Sequence, residues 1–205
     1  GAERKIMLTE ADRRRTAYHE SGHALLGMLL PGADPVRKIS IIPRGRSLGV
    51  TFQSPTADRY GMSEQELRDR IVGSLGGRAA EELVFGDLTT GAETDLEQVT
   101  AIARQMVGRW GMSKRIGPMS VLPEAGADVG FGTIDPRSPS EATRQMVDTE
   151  ARLIVDECHQ RALDVLHAER ARLDRLAQVL LERETLGEAD AYEAAGVPPP
   201  RTSTV

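Results

Sequence analysis

Apolar and polar positions recur along this chain with two different periods, and the change of period marks off its elements. From Thr9 to Leu30 the spacing is helical: at 100° per residue, Asp12, His23, Leu26 and Leu30 all fall within about 40° of His19. Thr9, with Asp12 three residues on, reads as the N-cap, and Pro31-Gly32 as the stop. Residues 36–53 change to β-formers, Val36, Ile39, Ile41, Val50 and Phe52, flanking a turn at Arg44–Gly49, which predicts a hairpin. Ser63 and Glu66 form a capping box for a second helix running to about Phe85 and ended by Gly86. Its inward face is set by Ile71, Val72, Leu75, Ala79 and Leu83, and Glu82 falls on that face while Glu81 points about 120° away from Leu75.

A third helix is predicted from a capping box at Thr94 and Glu97. Asp95 shares its inward face with Val99, Ile102, Met106 and Trp110, all within about 60°. Met112 to Pro139 is rich in Gly and Pro and predicts a loop, flexible over 123–139. Ser140 caps a long helix to about His167, striped by Val147, Ala151, Ile154, Cys158 and Val165, and a further helix covers Glu169–Arg183. The two suggest a helical hairpin, and residues 197–205 a polar, disordered tail. The fold class expected is mainly α with a small β-hairpin or sheet (α+β).

Composition narrows the picture. At 205 residues the chain can bury a substantial core. A net charge of −5, without basic blocks, argues against a nucleic-acid surface. The lone Cys158 excludes an internal disulfide framework and a thiolate zinc site. The apolar run Ala24–Leu30 is far too short to span a bilayer, and no G-x-x-x-x-G-K-[ST] loop is present to bind ATP. Gly1-Ala2 reads as a cloning remnant, with a linker to residue 8.

The candidate chemistry sits in the first helix, at His19-Glu20-x-x-His23. Residues four apart in a helix lie on one face, so both imidazoles can meet a single ion with a carboxylate beside them, the H-E-x-x-H pattern of zinc peptidases. Two inward histidines need partners, and a Zn2+ ion supplies them. Glu20 is then the general base, taking a proton from water and passing it to the leaving amine. Leu26 and Leu29 stand where the metzincin pattern would continue with glycine and histidine, so a third ligand must come from elsewhere. Asp95 and Glu82 are the inward candidates. A helix's first turn can project a short carboxylate across to a neighbour, which favours Asp95. Glu82 would then accept the free N–H of a ligating histidine as a second-shell residue, or pair with Arg78. His159 and His167 complete no ligand spacing and read as solvated or helix-terminal. In a peptidase, the hairpin's edge would take an extended substrate as an added strand, or else simply cover the helix.

Three stretches carry a resemblance. Thr9-Glu-Ala-Asp-Arg-Arg-Arg-Thr-Ala-Tyr-His-Glu-Ser-Gly-His-Ala24, Leu75-Gly-Gly-Arg-Ala-Ala-Glu-Glu-Leu-Val-Phe-Gly86 and Thr90-Gly-Ala-Glu-Thr-Asp-Leu96 leading into Ala103–Met112 resemble the peptidase domain of FtsH-type ATP-dependent zinc metalloproteases. The match runs in order over about residues 8–195. The resemblance implies an Asp-zincin-like helical peptidase domain with one zinc on His19, His23 and Asp95, and Glu20 as base. The element pattern divides residues 9–196 into a catalytic lobe to 122, the 123–139 loop and a C-terminal helical lobe from 140; the resemblance carries further. It also implies, in a parent protein, membrane-spanning segments in the bacterial inner membrane, an ATP-binding module and a homo-hexameric ring that degrades unfolded membrane and soluble polypeptides on the cytoplasmic side. This chain alone would be soluble. Two departures stand out: Ser21 replaces the usual alanine, and Glu124–Gly132 fits the family loosely. The rival readings are a self-contained zinc peptidase with Glu82 as third ligand, and a non-catalytic oligomerisation module around a structural zinc.

Overall fold

A computed structural model describes residues 8–43, 48–54, 61–123 and 138–200. Residues 44–47 of the expected Arg44–Gly49 turn, most of the 123–139 loop, the loosely fitting Glu124–Gly132 stretch and the end of the tail lie outside these residues.

Helix α1 (Glu10–Leu29) starts where its cap predicts: the Thr9 hydroxyl accepts the Asp12 amide, and the Asp12 side chain returns to Thr9. It is the axis of the fold. Its middle, from Thr16 to Gly27, is buried on most sides, between α3 (Gly76–Phe85) and α6 (Arg170–Arg183) and beneath the sheet.

The hairpin forms as β1 (Val36–Ser40) and β2 (Val50–Gln53), antiparallel. Val36 and Ile39 are three apart and would face opposite sides of a regular strand, yet both are fully buried. An irregularity between Val36 and Lys38 shifts the register by one and turns both to the core. A third strand, β3 (Thr185–Gly187), pairs with the other side of β1, giving the order β2-β1-β3. It was not expected, because three residues show no period. Glu184, in the left-handed region at φ 61°, ends α6 and turns the chain into it.

The second predicted helix is two. α2 (Glu64–Ser74) has its Ser63–Glu66 capping box, but the chain bends at Leu75 and restarts as α3, ended by Gly86 at φ 64°. The third helix also differs at its start. A 3-10 turn at Thr90–Ala92 leads straight into α4 (Glu93–Gly108), so Thr94 lies inside the first turn and makes no capping box with Glu97. α5 (Glu141–Ala168) follows its Ser140 cap, then α6, β3 and α7 (Glu188–Ala195).

The expected helical hairpin is not how the C-terminal helices pack. α5 lies against α4, α3 and α2, while α6 lies against α1. One hydrophobic core runs from Ala17 to Val197 through all of them. No described helix is long and apolar enough to cross a membrane.

Candidate metal centre

Three side chains from α1 and α4 converge. His19 Nε2 and His23 Nε2 are 3.0 Å apart, and Asp95 Oδ2 lies 3.4 Å from the first and 3.3 Å from the second. Among the described residues this is the one group of three potential ligands whose donor atoms meet. Two imidazole lone pairs and a carboxylate oxygen aimed at one point need a cation. Donors bonded at ~2.0–2.1 Å to a tetrahedral zinc stand about 3.3–3.4 Å from one another, close to these separations. The donor set therefore fits a divalent ion.

The opposite ring nitrogens fix the tautomers. His19 Nδ1–H donates to Glu81 Oε1 at 2.8 Å, and His23 Nδ1–H donates to the Gly73 carbonyl at 2.9 Å. Each ring so held presents Nε2 to the shared point. The charges agree. Burial alone would lower the pKa of His19, but Asp95, Glu81 and Glu20 around it raise it to about 9. Burial would likewise raise that of Asp95, yet the two imidazoles hold its carboxyl well below the usual carboxylate range.

Glu81, not Glu82, is the residue that orients His19. Its carboxylate is buried, 4% exposed, and receives His19, Arg15 Nη1 at 2.9 Å and the Thr89 hydroxyl at 3.0 Å. These donors outweigh burial and lower its pKa. Glu82 instead accepts from His159 Nε2 at 2.9 Å, so its expected second-shell role and the Arg78 pairing both give way. The reason is the break at Leu75. The inward face was drawn through Ile71 and Val72 on α2 and carried past the break onto α3, a separate helix whose buried side includes Glu81. The Gly76-Gly77 pair was the overlooked signal.

The same pair permits the close approach. A Cβ on Gly22 would lie 2.2 Å from the Gly76 carbonyl oxygen, and one on Gly77 would lie 2.4 Å from His19 Nε2. Only glycine leaves room there for α3 to pass α1 and for the imidazole to lie on its backbone.

Glu20, 7% exposed, is held from the sheet. The Thr51 hydroxyl on β2 is 2.8 Å from Glu20 Oε2 and 3.0 Å from its carbonyl oxygen. β2 thus turns polar Thr51 and Gln53 toward α1, while Val50 and Phe52, the latter 55% exposed, face outward. Sequence pattern did not single out Thr51, since a lone threonine in a strand carries no chemical signature. His159 is half-buried rather than solvated, and His167 is exposed in the last turn of α5. A groove of about 710 Å³ along α4, lined by Leu96, Ala101 and Leu122, gathers no comparable donors.

The profile of peptidase family M41 matches residues 6–194. The chain belongs to that family. It is 60% identical over 199 residues to ATP-dependent zinc metalloprotease FtsH 3 of Conexibacter woesei, covering 96% of this chain and 26% of that protein. It is 58% identical over 198 residues to ATP-dependent zinc metalloprotease FtsH of Thermobaculum terrenum, covering 96% and 31%. The FtsH of Syntrophus aciditrophicus is 47% identical over 203 residues, covering 97% and 27%. This M41 chain therefore spans between a quarter and a third of the length of these relatives.

Proposed function

We propose that this chain is the endopeptidase domain of a longer, ATP-driven protease, binding one zinc through His19, His23 and Asp95 and using Glu20 as general base. The observation that carries the reading is the meeting of two Nε2 atoms and one carboxylate oxygen within 3.0–3.4 Å of one another on the H-E-x-x-H helix. Zinc, when bound, supplies Lewis acidity to the scissile carbonyl and to the attacking water. The rest is done by the chain. Glu20 takes the water's proton and returns it to the leaving amine, with one carboxylate oxygen held by Thr51. Glu81 and the Gly73 carbonyl keep both rings in the tautomer that offers Nε2.

The substrates are unfolded polypeptides. β2 is one edge of the described sheet and touches Glu20 through Thr51, which favours an extended chain laid along that edge as an added strand over a hairpin that merely covers α1. The ATP-dependent names of the relatives and the resemblance of the motifs support a parent protein that is a homo-hexamer. On the same grounds it is anchored in the bacterial inner membrane, with this domain on the cytoplasmic side and ATP bound elsewhere in the protein. A structural zinc module is disfavoured, since structural sites close with four protein ligands and only three donors gather among the described residues. Glu82 as third ligand is disfavoured by its engagement with His159.

Glu20→Gln keeps the shape of the site and removes the base. It is expected to lower cleavage of unfolded casein by about 10²–10⁴-fold with zinc content unchanged. Cleavage at the parental rate would overturn the mechanism.

A further inference from the structure

The two helices that bring donors to the centre must be held at a fixed separation, and a single hydroxyl joins their supports. Thr89 lies on the connection between α3 and α4. Its hydroxyl is 3.0 Å from Glu81 Oε2 and 3.3 Å from Oε1, and it accepts the Gly91 amide at 3.2 Å. A hydroxyl has one proton and two lone pairs, so both bonds can form at once, the proton to the carboxylate and a lone pair to the amide. The first bond fastens Thr89 to the carboxylate that orients His19. The second caps the 3-10 turn at Thr90–Ala92, which runs directly into the first turn of α4, where Asp95 sits.

α4 has no cap of its own: Ala92 stands at its N-cap with no side-chain bond. The start of the helix that carries Asp95 is therefore tied down through Thr89. Arg15 reinforces the same junction, donating to Glu81 at 2.9 Å and to the Asp87 carbonyl at 3.4 Å. Thr89 is itself exposed, so it contributes little to the hydrophobic core.

We propose that Thr89 is a positioning residue of the metal centre, setting the separation between His19 and Asp95 by bonding Glu81 and the turn before α4 at the same time. The proposal rests on the zinc reading given above.

The test uses the full 205-residue chain and reads zinc affinity by competition with a chromophoric chelator, together with the visible absorption of the cobalt(II)-loaded protein. Thr89→Val keeps the shape and loses both bonds, and Thr89→Ser keeps both bonds. The expected result is zinc affinity about tenfold weaker for Thr89→Val, an altered cobalt spectrum, and recovery of both by Thr89→Ser. The melting temperature should fall less on Thr89→Val in the EDTA-treated protein than in the zinc-loaded protein. Zinc affinity of Thr89→Val within twofold of the parent would overturn the proposal. So would an equal loss in Thr89→Ser, or a matching drop in the EDTA-treated melt, since either would make Thr89 a loop-stability residue only. His23→Ala separates the two readings. If it binds zinc as tightly as the parent, the metal assignment itself fails and the proposal falls with it. If it loses zinc while Thr89→Val does not, only the role of Thr89 is refuted.

Discussion

Adjacent glutamates on α3 have opposite fates, and the difference decides which one the candidate metal centre depends on. Glu81 is buried between His19, Arg15 and Thr89, while Glu82 is half-exposed against His159. Glu81→Gln should weaken zinc binding by about 10–100-fold, with Glu82→Gln within about twofold of the parent; chelator competition on the two variants checks the contrast. That the histidines and Asp95 converge was legible in the sequence, because a four-residue helical spacing and an inward first-turn carboxylate are local patterns. The choice between the two glutamates was not, because it depends on the helix break at Leu75, nearly two turns upstream. Cys158 offers a residue-scale test by pH. Burial pushes its thiol up to about 11, above its value in the unfolded chain, so the folded state binds that proton more tightly. Its contribution is full below pH ~9 and is lost as pH rises through ~11. The stability advantage of the parent over Cys158→Ala, measured by urea midpoint, should shrink across that window.

At the scale of elements, two close crossings carry the site. α3 passes α1 with Gly22 against Gly76, and β2 meets α1 through Thr51, bonded to Glu20, and Gln53, whose side chain lies over Gly27. Gly22→Ala would force a Cβ to 2.2 Å from the Gly76 oxygen, and backbone cannot yield as a flexible side chain can. The expected cost is about 1–3 kcal/mol, read from urea denaturation, accompanied by weaker zinc binding as Glu81 moves off His19. Caps at Thr9, Ser63 and Ser140 were readable, since each is a side chain bonding its own neighbourhood. β3 and the split of the second helix were not. A three-residue strand exists only because β1 offers it an edge, and the break at Leu75 answers to the packing of α3 on α1.

For the whole molecule, the metal should be a term in folding stability, because an ion that binds the folded chain alone shifts the equilibrium by mass action. With free zinc at a thousand times its Kd the gain is about 4 kcal/mol, or about 10 °C in melting temperature for a domain of this size. EDTA should lower the melting point by that order and added zinc should restore it, while a His23→Ala variant should melt at one temperature under both conditions. A further consequence follows from where α6, β3 and α7 lie. α6 walls α1, β3 completes the sheet, and the Tyr192 hydroxyl on α7 accepts the Val36 amide at 3.3 Å. The first and last segments of the chain are therefore interleaved. A polypeptide severed between α4 and α5 would persist as a complementing pair of fragments, neither of them foldable without the other.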